Sequence, residues 1–160
     1  MESSESYFHI SKKHIIPLNT VVQKIVNKYV LGIFVAKEGG DILYSKQFSE
    51  QLNFSLMGNF IAALSMFGEE NVGKIRRIYI EGLDIEMNVV VKHNLILTML
   101  FKPNMIKDHL PEFYNKGLDL FYNQFKSSIQ QNKTNEAIYK EFDNQMVELL
   151  YDYLYKIEVI

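Results

Sequence analysis

The run LILTMLF, Leu95 to Phe101, limits the fold of this chain more than any other stretch, because it is apolar at odd and even positions alike except at Thr98. Successive side chains of a β-strand point to opposite faces of the sheet, so a strand of this kind needs cover on both sides. Helices packed on both faces of an antiparallel sheet would provide that cover. We therefore expect an α+β fold in which Leu95 to Phe101 is a central strand.

Four further strands are predicted around this one. KIRRIYIEG, Lys74 to Gly82, and DIEMNVVVK, Asp84 to Lys92, alternate apolar and polar residues with a period of two. LGIFVAKEGGDILYSKQ predicts two more, at about 31 to 37 and 41 to 47. They join at EGGD, because consecutive glycines allow the positive φ of a tight turn. The strands form a hairpin and a three-stranded meander.

Helices are predicted where apolar residues recur three and four positions apart. Pro17 is expected to open the first helix, and Thr134 is expected to be the N-cap of the last. The predicted helices cover residues 17 to 30, 51 to 68, 106 to 131 and 134 to 157. The apolar stripe of the last one consists of Ile138, Phe142, Met146, Leu149, Tyr153 and Ile157.

The composition indicates one domain, residues 17 to 160, behind a polar leader over residues 1 to 16. A net charge of −2 provides no electrostatic basis for binding nucleic acid. Cysteine is absent and the N-terminal part lacks the apolar core of a signal peptide, so we expect a cytoplasmic protein. Residues 51 to 68 carry no charge, but their Gln, Asn, Ser and Gly content argues against membrane insertion.

The stretch GEENVGKI, Gly68 to Ile75, spells most of a phosphate-binding loop, G-x-x-x-x-G-K-[ST]. Ile75 stands where that loop needs a hydroxyl, and two glutamates would lie beside the phosphates. The stretch also leaves a predicted helix and enters a predicted strand, whereas a phosphate loop opens a helix whose positive end meets the anion. We therefore interpret it as a turn that ends the helix.

No residues form a recognisable catalytic or metal-binding pattern. The four histidines are dispersed, none four positions from another, and we expect them to be solvated; they are His9, His14, His93 and His109. Asp84 and Glu86 lie two apart on a predicted strand and would share one face, but solvated sheet faces commonly show this pattern. The prediction is a protein that is not an enzyme and has no cofactor.

The helix over residues 51 to 68 differs from most surface helices, because its outer arc is small or neutral instead of charged. That arc consists of Ser55, Gly58, Asn59, Ala62, Ser65 and Met66. Gly58 and Ala62 lie one turn apart and leave a shallow groove in which another backbone could approach closely. Either another part of the same chain covers this arc or a second subunit does, and we favour the subunit because exposed apolar patches usually mark association surfaces.

The strand after this helix, KIRRIYI, has the charges of an edge strand. Lys74, Arg76 and Arg77 would protect an edge from promiscuous pairing, and they could also set the register of a specific one.

The order of elements resembles the longin and roadblock superfamily of small α/β/α platform domains. The resemblance spans about residues 29 to 157, and it rests on GIFVAKEGGDILYSKQF, on the uncharged helix and on IRRIYIEGLDIEMNVVVKHNLILTMLF. It implies a five-stranded antiparallel sheet with the middle helix on one face and the terminal helices on the other, and longin is favoured over roadblock. The usage of Ile, Asn and Lys suggests an archaeal relative.

The resemblance also implies a function that does not involve catalysis. Such domains pair through this helix and the adjacent edge strand, and they serve as scaffolds or regulators of small Ras-like GTPases in trafficking and signalling. We therefore expect a homodimer, or a heterodimer with a related domain, that binds a small GTPase. Its interface would be the arc named above together with Arg76, Arg77 and Tyr79. The alternative is a sensor that holds a small apolar molecule between sheet and helices.

Overall fold

The computed structural model describes residues 18–49, 72–80, 82 and 84–158. These residues form an α+β fold with one five-stranded antiparallel sheet, as expected, in the order β2-β1-β5-β4-β3. The strands are β1 (Val30–Lys37), β2 (Ile42–Gln47), β3 (Ile75–Ile80), β4 (Ile85–Lys92) and β5 (Leu95–Phe101).

The central position of β5 is confirmed. It pairs with β1 on one side and β4 on the other, so that Leu97 lies between Val35 and Val90. Every residue of β5 is buried, including Thr98, because its side chains point alternately into two apolar clusters on the two faces of the sheet. Removing this much apolar surface from water is the main stabilising term that the strand contributes.

The four described helices are α1 (Leu18–Val26), α2 (Leu110–Gln130), α3 (Glu136–Tyr139) and α4 (Asp143–Lys156), with a 3-10 turn at Lys140–Phe142 between the last two. Each of them contributes to the larger cluster, which takes Leu97 and Met99 from β5. The smaller cluster, on the opposite face, consists of strand residues such as Phe34, Met87 and Leu100. The middle helix predicted over residues 51 to 68 lies outside the described residues.

A buried polar contact fixes α2 on the sheet. The side-chain amide of Asn88 on β4 donates to the hydroxyl of Tyr114 on α2 at 2.8 Å, and both side chains are almost fully buried. Such a contact specifies which residue of the helix lies over which residue of the strand, because a shift would leave buried polar atoms unpaired. The first half of α2 is thereby placed over β4.

The start of α2 differs from the prediction. The helix begins at Leu110 and not near Ile106, because His109 adopts a left-handed conformation with φ 68 and Pro111 occupies the first turn. Residues before it form turns, which the hydroxyl of Tyr153 on α4 holds by donating to the carbonyl of Ile106. Met105 is buried in the same segment.

The last predicted helix is also different. It is divided into α3, the 3-10 turn and α4, and its N-cap is Asn135, whose side chain accepts from the backbone amide of Ala137 at 3.0 Å. The prediction of Thr134 as the cap was wrong. The predicted apolar stripe is nevertheless confirmed, since all six of its residues belong to the larger cluster or pack against it.

The β4–β5 turn is anchored to α2 by His93. Both turn residues, His93 and Asn94, have positive φ, 59 and 61, which is the conformation of a two-residue hairpin turn. The His93 ring stacks on Tyr122 with centroids 4.4 Å apart, and its Nε2 lies 2.8 Å from Asp119, which also pairs with Lys92 at 2.9 Å. His93 is therefore exposed, as expected, and it is also a structural anchor.

Replacing the true cap tests the assignment at residue 135. Asn135→Ala should lower the free energy of unfolding by about 1 kcal/mol, because the backbone amide of Ala137 loses its side-chain acceptor. Thr134→Ala, the matched control, should change it by less than about 0.5 kcal/mol. Chemical denaturation of both variants measures the difference, and an equal loss would contradict the assignment.

The anchor at the β4–β5 turn should give a pH-dependent contribution to stability. Hydrogen bonds from Lys92, which has the larger effect, and from His93 hold the pKa of the Asp119 carboxyl below its ordinary value of about 3.8. A lowered folded pKa stabilises the protein above the ordinary value, and this stabilisation is lost as the pH falls through the folded pKa. Asp119→Asn should cost less than about 1 kcal/mol at pH 7, since the carboxylate is half exposed, and nothing once Asp119 of the wild type is protonated. Urea denaturation from pH 7 to pH 2.5 checks this; a cost independent of pH would contradict it.

Candidate interaction edge

Among the described strands, β3 forms one edge of the sheet. Its neighbour on one side is β4, and the order of the sheet places no described strand on the other side. None of the six residues of β3 is buried. Edge strands present unpaired amides and carbonyls, which makes them templates for pairing with another chain.

The opposite edge of the sheet, β2, is different. Leu43 and Tyr44 are buried there, and the Tyr44 hydroxyl donates to Asp143 at the start of α4 at 2.7 Å. Lys46 lies 3.7 Å from the same carboxylate, and Ser45 lies 3.5 Å from Glu136 of α3. The helices after α2 thus cover β2, whereas none of the described strands pairs with the outer side of β3.

Three of the predicted interface residues lie on β3 and are brought together there. Arg76, Arg77 and Tyr79 are all exposed, Tyr79 to 54%. Strand alternation places Arg77 and Tyr79 on the face that carries α2 and Arg76 on the other face, beside Ile78. The remaining predicted interface residues, Ser55, Gly58, Asn59, Ala62, Ser65 and Met66, lie outside the described residues.

Tyr79 is exposed but held in place. Its hydroxyl donates to Asp84 at 2.8 Å, and this bond, with smaller effects of desolvation and of the nearby charges, raises the pKa of Tyr79 above its ordinary range. A large aromatic side chain with a fixed orientation loses little entropy on binding, which is why tyrosines are frequent anchors in interfaces.

The carboxylates near Tyr79 already have partners. Asp84 has a positive φ of 55 and lies in the β3–β4 turn, so it does not share a strand face with Glu86 as predicted. Glu86 forms an ion pair with Lys107 at 3.0 Å. Asp84 thus accepts from a hydroxyl, whereas Glu86 pairs with a lysine. The two carboxylates do not share a partner, as an acid–base pair would.

Sequence reasoning missed both of these partners. The hydrogen bond from Tyr79 to Asp84 spans a turn in which Asp84 has a positive φ. Aspartate tolerates this conformation, and that preference is the local signal that could have indicated the turn. Lys107 reaches Glu86 only because the turns before α2 lie beside β4, which no local pattern indicates.

The stretch after residue 71 supports the interpretation of GEENVGKI as a turn. Gly73 has φ 77, and its backbone amide donates to the carbonyl of Val91 at 2.7 Å. In a phosphate loop the backbone amides of the glycines point at the anion. Ile75 begins β3, so the motif enters a strand and not a helix.

Three concave sites lined by described residues differ in size, and small-molecule sites usually have volumes of about 300 to 1,000 Å³. The cavity between α2 and α4, about 160 Å³, lies beside an ion-pair network in which Lys156 contacts Glu112 and Asp152. The apolar one beside Tyr29 and Met105 is about 140 Å³. The third, about 370 Å³, is an open cleft between β2 and α3 with Ser45, Glu136 and Lys140 at its wall. The apolar cavity is thus smaller than a sensor site requires.

Within residues 18–49, 72–80, 82 and 84–158, no three His, Asp or Glu side chains cluster as ligands of a metal ion would. The helices in these ranges are also too short or too polar to cross a bilayer.

Comparison with protein-family models gives no match, and comparison with curated proteins gives none either.

The contact between Tyr79 and Asp84 can be measured directly. Asp84→Asn should return the phenolic pKa of Tyr79 toward its ordinary value, because the hydrogen bond to this carboxylate is the largest cause of the rise. Glu86→Gln, the matched control, removes only a weaker electrostatic effect and should change the pKa less. NMR titration of the tyrosine ring carbons gives both values. An equal effect of the two substitutions would contradict the geometry of the edge.

Proposed function

We propose that this protein is an interaction domain without catalytic activity, which pairs with other proteins through the open edge of β3. The observation that carries the proposal is the asymmetry of the sheet: helices cover β2, whereas within the described part of the chain no strand pairs with the outer side of β3, whose residues are exposed or half-buried. A fully accessible edge is normally shortened, twisted or covered in a protein that has to remain unpaired. Here it presents six residues of regular strand.

The surface of the edge has the composition of a binding site. Arginine and tyrosine are enriched among residues that dominate binding energies, and Arg77 and Tyr79 stand side by side on one face of β3. Main-chain hydrogen bonds along an added strand would give affinity, and these two side chains would give specificity.

The class of partner follows from the resemblance to longin and roadblock domains. We propose that the protein binds or regulates a small Ras-like GTPase in trafficking or signalling, and that it pairs with a second copy or with a related domain. The order of the five strands and the open edge are compatible with this assignment. Affinity would come from buried area and a few anchoring side chains.

Affinity capture from the native cells tests this function. The immobilised wild type should retain a Ras-like GTPase, and Arg77→Glu should reduce its recovery at least about tenfold, because it reverses the charge of an anchor at the edge. Lys133→Glu makes the same charge change in the exposed segment between α2 and α3, and recovery should be unaffected. Recovery of no GTPase, or equal recovery by all three proteins, would refute the proposal.

A further inference from the structure

We infer that β3 pairs with β3 of a second copy of this chain, antiparallel and around a twofold axis that passes through Tyr79. The inference rests on the proposed function and narrows it, because it names the partner of the β3 edge and the register in which the two strands meet. The two sheets would then join edge to edge through one seam.

The stretch RIYIE, Arg77 to Glu81, is complementary to itself when two copies run antiparallel. A twofold axis at Tyr79 sets the two tyrosines opposite each other and sets Ile78 opposite Ile80 of the second copy. It also sets Arg77 opposite Glu81 of the second copy, and the symmetry repeats this contact. Aromatic pairs and opposite charges in directly opposite positions stabilise antiparallel strands.

The charges of the edge change sign along the chain. Lys74 and Arg77 are exposed, and neither forms an ion pair among the described residues. Glu81 directly follows β3 in the sequence, and Asp84 lies in the β3–β4 turn. Antiparallel pairing therefore directs the basic start of each β3 toward the acidic end of the other one, which is the condition for electrostatic complementarity.

The contacts that the edge already makes are compatible with this register. Arg76 would lie opposite Gly82 of the second copy, which has no side chain, so Arg76 can keep its present interaction. Glu86 can stay paired with Lys107 at 3.0 Å. The pairing thus adds contacts to the seam and does not depend on a charge that is engaged elsewhere.

Both faces of the seam gain contacts. On the face that carries α2, the Tyr79 ring, 54% exposed, would pack against its symmetry copy while its hydroxyl stays bonded to Asp84. On the other face, Ile78 and Ile80 are half-buried and pack against the smaller apolar cluster. Setting each beside an isoleucine of the second copy removes more apolar surface from water and extends that cluster across the seam.

The neighbouring registers lose these contacts. Matching faces of the joined sheet require that the axis pass through a residue. An axis at Arg77 sets the two guanidinium groups opposite each other, where like charges are destabilising. An axis at Ile78 sets Arg77 opposite Tyr79. An axis at Ile80 sets Tyr79 opposite Glu81 and leaves Arg77 without an acidic partner, so the axis at Tyr79 is favoured.

Two charge reversals in the full chain test this register. By light scattering, the wild type should have twice the mass of the 18.8 kDa chain. Arg77→Glu and Glu81→Arg should each weaken self-association at least about tenfold, because each turns two symmetric ion pairs into contacts between like charges. Lys133→Glu, the matched control in the exposed segment between α2 and α3, should leave the dissociation constant unchanged.

A mixture of the two variants is specific to this register. When Arg77→Glu pairs with Glu81→Arg, every charge at these positions lies opposite a charge of the other sign, so the mixture should associate about as tightly as the wild type. The chain with both substitutions should also recover self-association, since it only exchanges the two charges. Recovery shows at the same time that the variants fold. If one reversal does not fold, Glu81→Gln, which keeps the size of the side chain, should still weaken the dimer.

The inference is overturned by a wild type that keeps the mass of one chain at its highest soluble concentration, by a dimer that neither reversal weakens, or by a mixture that does not associate. GTPase recovery separates it from the proposed function. A monomeric wild type that retains a GTPase, less so after Arg77→Glu, refutes the second copy and leaves the interaction function intact. A dimer with the expected charge dependence that retains no GTPase supports the inference and refutes the GTPase. If substitutions on β3 change neither measurement, both proposals fail.

Discussion

Burial of β5 on both faces is the constraint on which the rest of the structure depends. Its odd-numbered residues enter one apolar cluster and its even-numbered apolar residues the other, so the sheet must carry apolar cover on two sides. All the described helices contribute to the first cluster, and α2 is set over it by the contact between Asn88 and Tyr114. The helices after α2 lie on the β2 side, and among the elements that the structure describes no strand pairs with the outer side of β3.

This asymmetry gives the two edges different physical properties. At β2, a buried hydroxyl bonded to Asp143 and an adjacent lysine join strand and helix, so the edge is part of the core. At β3, the exposed side chains are a positioned tyrosine and two arginines. Binding at such an edge requires no rearrangement of the core, which is a condition for fast and specific association.

Much of the fold could be predicted because its signals are local. Alternation predicted β3 and β4, and the run of β5, apolar on both faces except at Thr98, predicted its central place. The beginning of α2 could not be predicted, since the turns before it are held by Tyr153, far away in the sequence. Thr134 and Asn135 are both good capping residues, and only the path of the chain decides between them. The anchoring contacts of His93 were not predicted for a similar reason, as its partners Asp119 and Tyr122 are supplied by another element.

The candidate site was predictable to a lesser degree. Exposure of Arg76, Arg77 and Tyr79 followed from reading β3 as an edge strand, whereas the positive φ of Asp84 and its bond to Tyr79 depend on the geometry of one turn. The arc predicted on residues 51 to 68 lies outside the described residues, so the proposed function rests on β3.

The pairing of β1 with β5 has a consequence for synthesis on the ribosome. Residues 30–37 of β1 pair with residues 95–101 of β5. The edge of β1 that faces away from β2 therefore has no partner strand until β5 has left the exit tunnel. At roughly 5 to 20 residues per second, that interval lasts several seconds. During this time the nascent chain exposes an apolar strand with free backbone groups, and it is then that chaperones or neighbouring nascent chains would encounter it.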